Sequence, residues 1–313
     1  MASSPFLELL SLIVRMIIMI SFGIFIGTLI ESFKLEKKLS FLIKPIVKYT
    51  PFSTLGATSF VTSFLSPRAA NIMISSAHEE GRISEKEMIL IALTNSLGAL
   101  FAHLKVTTFI IIPLLGIVGV AYISVQLLGA ILTTCIALVV LGFIKRERVE
   151  GVETLAVNTT IKRVSFKKLL IDRNKKILLR VLRVSVPLYT IIFFVNYYGF
   201  FDSLATHLPL AASTILPPES IAIIAVHFTG VMQSASTASL AINSGSISEI
   251  QVFITLLIGY ILSTPLRAVR HTLPSALGIF PKKSGLYIVI AIQSIKILVA
   301  LVVITLTLII GDI

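Results

Sequence analysis

No aspartate or glutamate falls within any long apolar stretch of this 313-residue chain. That takes away the carboxylate which proton-coupled carriers place inside the bilayer, and the oxygen anions that a divalent cation needs. The single cysteine, Cys135, allows neither an internal disulfide nor a thiolate metal site. There is no His-Glu-x-x-His pair, no Walker loop, no carboxylate dyad and no cysteine–histidine couple. Nothing therefore supports an enzyme, and no metal or cofactor is expected. Charge of any kind is scarce, at 13% of residues against roughly a quarter in soluble domains. Lysine and arginine vanish altogether between Val184 and Leu266.

What is present is hydrophobic. Apolar types make up 56% of the chain and the mean hydropathy is +0.98, the composition of an all-α polytopic membrane protein. Apolar stretches run over residues 16–30, 55–77, 88–104, 106–123, 124–144, 184–198, 221–242, 252–266, 272–280 and 286–310. Spanning a bilayer takes about 20 residues, so several are short. The stretch 272–280 either re-enters the membrane or begins further back, at Arg267. The first stretch has only Arg15 before it, not the basic region of a signal peptide, and is expected to stay as a helix. The net charge of +12 is unevenly placed: residues 145–183 hold twelve Lys or Arg against four acids, and residues 31–50 hold five Lys. By the positive-inside rule both segments face the cytoplasm. Anchoring at the lipid surface explains these charges better than nucleic acid does. Within the linker, residues 166–170 suit a short interfacial helix, and the glycosylation sequon at Asn158 is idle on the cytoplasmic side.

The chain repeats itself. Ser75, Ala77, Gly81, Ile83, Ser84 and Glu85 recur as Ser239, Ala241, Gly245, Ile247, Ser248 and Glu249, always 164 residues on. Ser84 with Glu87, and Ser248 with Gln251, have the spacing of a capping box, and Ile83–Met88 and Ile247–Val252 fit the hydrophobic staple around it. Four spans between the two cytoplasmic segments, plus the first helix, make five per half. An odd unit duplicated in tandem must sit upside down the second time. The equivalent of 31–50 is then external, and that stretch, 196–220, carries no Lys or Arg. We therefore expect about ten transmembrane segments in the cell membrane, as two inverted-topology repeats of five. These are residues 1–144 and 184–313, joined by the basic cytoplasmic linker 145–183, with both termini outside.

The second segment of each half is where chemistry is expected. Ser66-Pro67 is a helix-start signature, with Ser at the cap and Pro at the first helical position. A half-helix beginning near Ser66 would point its positive end into the membrane middle, with Arg68 beside it and Asn71 one turn on. The offset of 164 carries this place to Gly230, and then to the polar run Gln233, Ser234, Ser236 and Thr237, which has no proline. Interrupted segments at matching places in two halves point to a binding site. Small residues also serve simple helix packing, but an ionisable residue within a span argues for function. The substrate-binding candidates are thus Ser66, Arg68, Asn71, Gln233, Ser234, Ser236 and Thr237. His103, Arg267 and His271, at the ends of the next segments, are secondary candidates; Lys105 and Arg270 beside them suit interfacial snorkelling equally well. Lys296, one turn after Gln293, lies inside the last span. Asn95 and Gln126 suit interhelical hydrogen bonds, His227 suits packing, and Glu79, Glu80, Glu85 and Glu87 suit a solvated loop.

The block from Phe64 to Lys105, FLSPRAANIMISSAHEEGRISEKEMILIALTNSLGALFAHLK, resembles the Gate-domain, or "nucleoside recognition", family of archaeal membrane proteins. The resemblance is best over residues 53–105 and recurs more faintly over 219–270. That domain also occurs in spore maturation proteins, nucleoside transporters and the ferrous-iron transporter called protein B, so the resemblance implies nucleoside or ion movement. Two functions follow as expectations. One is a membrane carrier for a small polar solute, anionic or nucleoside-like, acting in the lipid bilayer, without nucleic acid, and compatible with a homo-oligomer. The other is a non-transporting scaffold whose basic linker binds a cytoplasmic partner.

Overall fold

The computed structural model describes residues 52–143 and 216–310, with isolated positions between 6 and 18 and between 179 and 198. Among the described residues all regular structure is helical. It falls into two series. The first is α1 (Thr54–Ser63), α2 (Pro67–Glu79), α3 (Glu85–Leu115) and α4 (Ile117–Phe143). The second is α5 (Glu219–His227), α6 (Val231–Asn243), α7 (Glu249–Arg267), a π-helical turn (Ala268–Thr272), α8 (Leu273–Leu277) and α9 (Lys282–Ile310). α2 and α6 both have 13 residues.

The turns that end α2 and α6 show how closely the two series agree. Gly81 and Gly245 take φ of 71° and 72°, a region that costs a residue with a side chain but not glycine. Each completes the same helix stop: Gly81 and Arg82 donate to the His78 and Ala77 carbonyls, and Gly245 and Ser246 to those of Ile242 and Ala241. Ser84 and Ser248 then cap the following helices by accepting from the amides of Glu87 and Gln251. The full capping box forms only at Ser248, where Gln251 Oε1 accepts from the Ser248 amide at 3.2 Å. In the first series Glu87 turns elsewhere: its carboxylate accepts from the Ser53 hydroxyl at 2.8 Å.

Residues 55–77 form two helices that double back. Ser53 touches Glu87, a Cβ on Gly56 would meet Ile91, Ser59 bonds Asn95, and Ser63 lies against Gly98. Rising numbers on both sides mean that α1 runs parallel to α3. α2 leads straight into the tight turn before α3 and so runs antiparallel to both. Ser59 Oγ ties the hairpin shut by donating to the Ala70 carbonyl at 3.2 Å. α5 and α6 make the second hairpin in the same way, with Ser220 bonded to Thr255 at 2.9 Å and His227 against Gly259. Arms of 10 and 13 residues reach only about 15–20 Å.

Four helices are long and apolar enough to cross a membrane, over Glu85–Leu104, Ile117–Phe143, Glu249–Arg267 and Lys282–Ile310. Their bounds differ from those of the apolar runs. α3 continues past Lys105 to Leu115, and the chain turns at Gly116, so the remainder of 106–123 joins 124–144 in α4. The stretch 272–280 is no separate segment, because the helical run continues from Glu249 through the π turn to Leu277. Hydropathy falters at a lone Lys105 while the helix does not, and a turn on one glycine leaves no polar gap. Half or more of the α3 and α7 spans is buried, against 39% of α4 and 22% of α9. The hairpins, α3 and α7 therefore form the inner part, and α4 and α9 face outward.

The two series interlock end to end. Ser284 at the start of α9 donates to the Glu85 carboxylate at the start of α3, and Ser75 donates to the Ile279 carbonyl. Ile83, Met88 and Ile91 pack there with Ala276, Phe280 and Ile288. At the opposite end Ile247, Val252 and Leu256 pack with Ile111, Leu115 and Val118. The stretches expected at 16–30 and 184–198 are described only at isolated positions. The loop 31–50, nearly all of the linker 145–183, and residues 199–215 lie outside the described residues.

Candidate functional site

A cavity of about 800 Å³ lies between the second hairpin, α3, the end of α7 and the middle of α9. Its basic side chains are His103 from α3, Arg267 from α7, His271 from the π turn and Lys296 from α9. No acid among the described residues lines it. Lys296 stands fourteen residues from either end of α9, and its stem lies along Gly129 of α4, where a Cβ would come within 3.3 Å of Lys296 Cγ. Arg267 is oriented twice, by donating to Ser263 Oγ at 3.0 Å and by lying 5.5 Å from the centre of the Tyr260 ring. Among the described residues no carboxylate lies within ion-pair reach of either cation. An unpaired charge at membrane depth is costly, and persists where it faces a partner or an aqueous space.

The neutral polar groups come from the two hairpins and α3. Asn71, one turn into α2, is held by Asn95, whose Nδ2 donates to Asn71 Oδ1 at 3.0 Å and to Ser59 Oγ at 2.9 Å. Asn95 Oδ1 and Ser96 Oγ are buried without a hydrogen-bond partner, and both residues line the cavity. From the second hairpin the tip itself enters the wall, through Gly230, Val231, Met232 and Gln233. That tip is fixed from behind by a buried relay. Ser234 Oγ spends its proton on the Ile223 carbonyl at 3.0 Å, so it accepts from His227 Nδ1 at 3.1 Å. His227 Nε2 is then the acceptor facing the Tyr122 hydroxyl at 3.4 Å.

The residues that the sequence marks are divided by the structure. Asn71, Gln233, His103, Arg267 and His271 line the one cavity. Ser66 caps α2 by accepting from the Ala69 amide at 3.3 Å and does not line it. Arg68 is exposed at the start of α2, outside the cavity wall. Ser234 is consumed by the His227 relay, and Ser236 and Thr237 are buried and bond back to the Met232 and Gln233 carbonyls. The side chains of Lys105 and Arg270 lie outside the described residues. Asn95 and Gln126, read from the sequence as interhelical hydrogen-bonders, also line the wall, as do Ser96 and Tyr260, which nothing in the sequence singled out. A lysine at the middle of an unbroken helix was the one available signal for Lys296.

The chain is similar over nearly its whole length to uncharacterized proteins of Methanocaldococcus jannaschii. One is 27% identical over 290 residues, covering 91% of this chain and 90% of the relative. A second is 26% identical over 305 residues, with 93% of each covered, and a third is 22% identical over 308 residues, covering 96% and 98%. No family model and no solved structure matches.

Proposed function

We propose that this chain is a multi-pass carrier for a small polar solute, anionic or nucleoside-like, that binds in the cavity beside the second hairpin. One observation carries the reading: Arg267 and Lys296 share a cavity of about 800 Å³ that no acid among the described residues lines. Cations without counter-ions at membrane depth are a standing attraction for a solute that brings negative charge or carbonyl oxygens. A scaffold gains nothing from such a cavity, whereas a carrier needs one near the bilayer middle.

The architecture we infer is an inverted repeat with re-entrant hairpins. Each hairpin begins and ends on one face, with arms about half the roughly 30 Å hydrocarbon thickness, so it enters and returns without crossing. That leaves two crossings per described series. The stretches 16–30 and 184–198 add one each, which makes three per half in place of five. Three is still odd, so the inversion argument from charge stands unchanged. The contacts of Glu85 with Ser284, and of Ile247 and Val252 with Ile111 and Val118, support opposite orientations of α3 and α7.

The test is counterflow in proteoliposomes with labelled uridine, phosphate and a carboxylate. At least one should accumulate, Lys296→Met should reduce uptake tenfold or more, and Arg82→Ala, in the loop where Arg82 pairs with Glu80, should leave it unchanged. Absence of accumulation for all three by folded protein sinks the carrier reading. Single thiols at Arg82→Cys and Ser246→Cys, in a Cys135→Ser background, should label from opposite faces; labelling from the same face sinks the inversion.

A further inference from the structure

We infer that the cavity takes an organic anion that also bears hydroxyl or N–H donors, held at two chemically different ends; this rests on the carrier reading above. The first end is cationic. Gly230 caps α6 with no side-chain bond, and the first-turn residues Val231, Met232 and Gln233 line the cavity. The opening amides of a helix have no partner within it and attract negative charge. Arg267 and Lys296 line the same space, with no carboxylate of the described residues in reach. An anionic group satisfies the helix end and both side chains together.

The second end asks for the reverse. Asn95 and Ser96 are 2% and 7% exposed, and Asn95 Oδ1 and Ser96 Oγ have no partner. The amide cannot turn to offer a donor, because its Nδ2 is committed to Ser59 and Asn71. What remains is a fixed, buried acceptor on a residue of the cavity wall, and a buried acceptor left unmade is expensive. A bare anion such as sulfate cannot fill it, having no proton to give. A neutral polyol fills it but leaves the cations uncompensated. A ligand with a carboxylate or phosphate at one end and O–H or N–H groups at the other meets both demands.

Three six-carbon probes separate the ends: gluconate carries both features, hexanoate only the charge, and sorbitol only the hydroxyls. Titrated into the purified full chain, gluconate should bind at least tenfold more tightly than either of the others. Ser96→Ala removes a hydroxyl that has no partner, so it should leave thermal stability intact while shrinking the margin of gluconate over hexanoate. Lys296→Met should weaken both anions by a similar factor and leave sorbitol untouched. If hexanoate matches gluconate and both are lost in Lys296→Met, water serves the Asn95 acceptor. The two-ended ligand is then wrong while the anion carrier survives. If sorbitol matches gluconate, or none of the three binds, the inference fails together with the anionic reading beneath it.

Discussion

The two hairpins are tied by the same bond run in opposite directions. In the first, Ser59 donates to the carbonyl of Ala70; in the second, Ser234 donates to the carbonyl of Ile223. Ile223 and Ser234 sit 164 residues after Ser59 and Ala70, so the contact is kept while the donor has changed sides. The support behind each tie differs more. Asn95 of α3, in the same series, holds Ser59 and Asn71. Ser234 is instead held by His227, which meets Tyr122 of α4 from the other series. The tips differ as well, with a capped Ser66 away from the cavity and an uncapped Gly230 in its wall. On the carrier reading, the second hairpin is the one whose tip faces the ligand, and its tie to the opposite half suits a moving gate; the first presents Asn71 alone to the cavity and serves as support.

The largest separation should come from filling the two close approaches. A Cβ on Gly98 would fall 2.0 Å from Ser63 Oγ and 2.6 Å and 2.8 Å from backbone atoms of Ser63 and Phe64, which cannot move without opening the tip. On Gly259 it would fall 3.0 Å from the His227 side chain, which can yield by a few tenths of an ångström. Gly98→Ala should therefore cost about 3 kcal/mol or prevent folding, and Gly259→Ala about 1 kcal/mol. Thermal unfolding in detergent ranks them. Equal losses would mean that the first hairpin is no stiffer than the second.

Positions 63 and 227 are equivalent, and their hydrogen bonds should separate the hairpins next. Ser63 Oγ only bonds back to the Phe60 carbonyl at 2.7 Å, whereas His227 joins two helices of different series. Ser63→Ala should cost less than about 0.6 kcal/mol, the average for such bonds in membrane proteins. His227→Phe leaves Tyr122 short of a buried acceptor and should cost about 1–3 kcal/mol. It should also slow or abolish transport if the relay couples the halves. A His227→Phe protein with unchanged stability and unchanged counterflow would reduce the relay to packing.

How much of this could be seen beforehand depends on the type of signal. Composition and the 164-residue offset are chain-wide, so the helical membrane class and the matching turns at Gly81 and Gly245 were legible. The break at Ser66-Pro67 was legible too, because a proline at a first helical position has a local steric cause. Its geometry was not: a broken straight helix and a hairpin share one sequence pattern, and the difference lies in contacts such as Ser59 with Asn95, 36 positions away. The same reason divides the site residues. Arg68 was marked for its charge beside the Ser66-Pro67 helix start, yet it is exposed and does not line the cavity. Asn95 looked like ordinary interhelical glue, and half of its amide is that. The unpartnered Oδ1, which makes it interesting, exists only once Ser59 and Asn71 have claimed the other half.

The smallest stability effect should come with the sharpest functional one, at the two tips. Gly230→Ser would give the second hairpin the cap that Ser66 gives the first. Gly230 has φ 161° and ψ 153°, extended backbone open to any residue, so the backbone sets no barrier. The new Cβ would meet Gln233 Oε1 at 2.2 Å, but that is the far end of a flexible side chain and can swing aside. A serine cap in place of glycine is worth only a few tenths of a kcal/mol, so the melting temperature should rise slightly or stay level. The same hydroxyl would occupy a first-turn amide that otherwise faces the cavity, and anion binding should weaken several-fold. Ser66→Gly in the first hairpin should lower stability by a similar few tenths and leave binding alone, since that tip lies outside the cavity wall. A binding loss in Ser66→Gly as large as that in Gly230→Ser would show that both tips face the ligand, and the division between scaffold and gate would have to be given up.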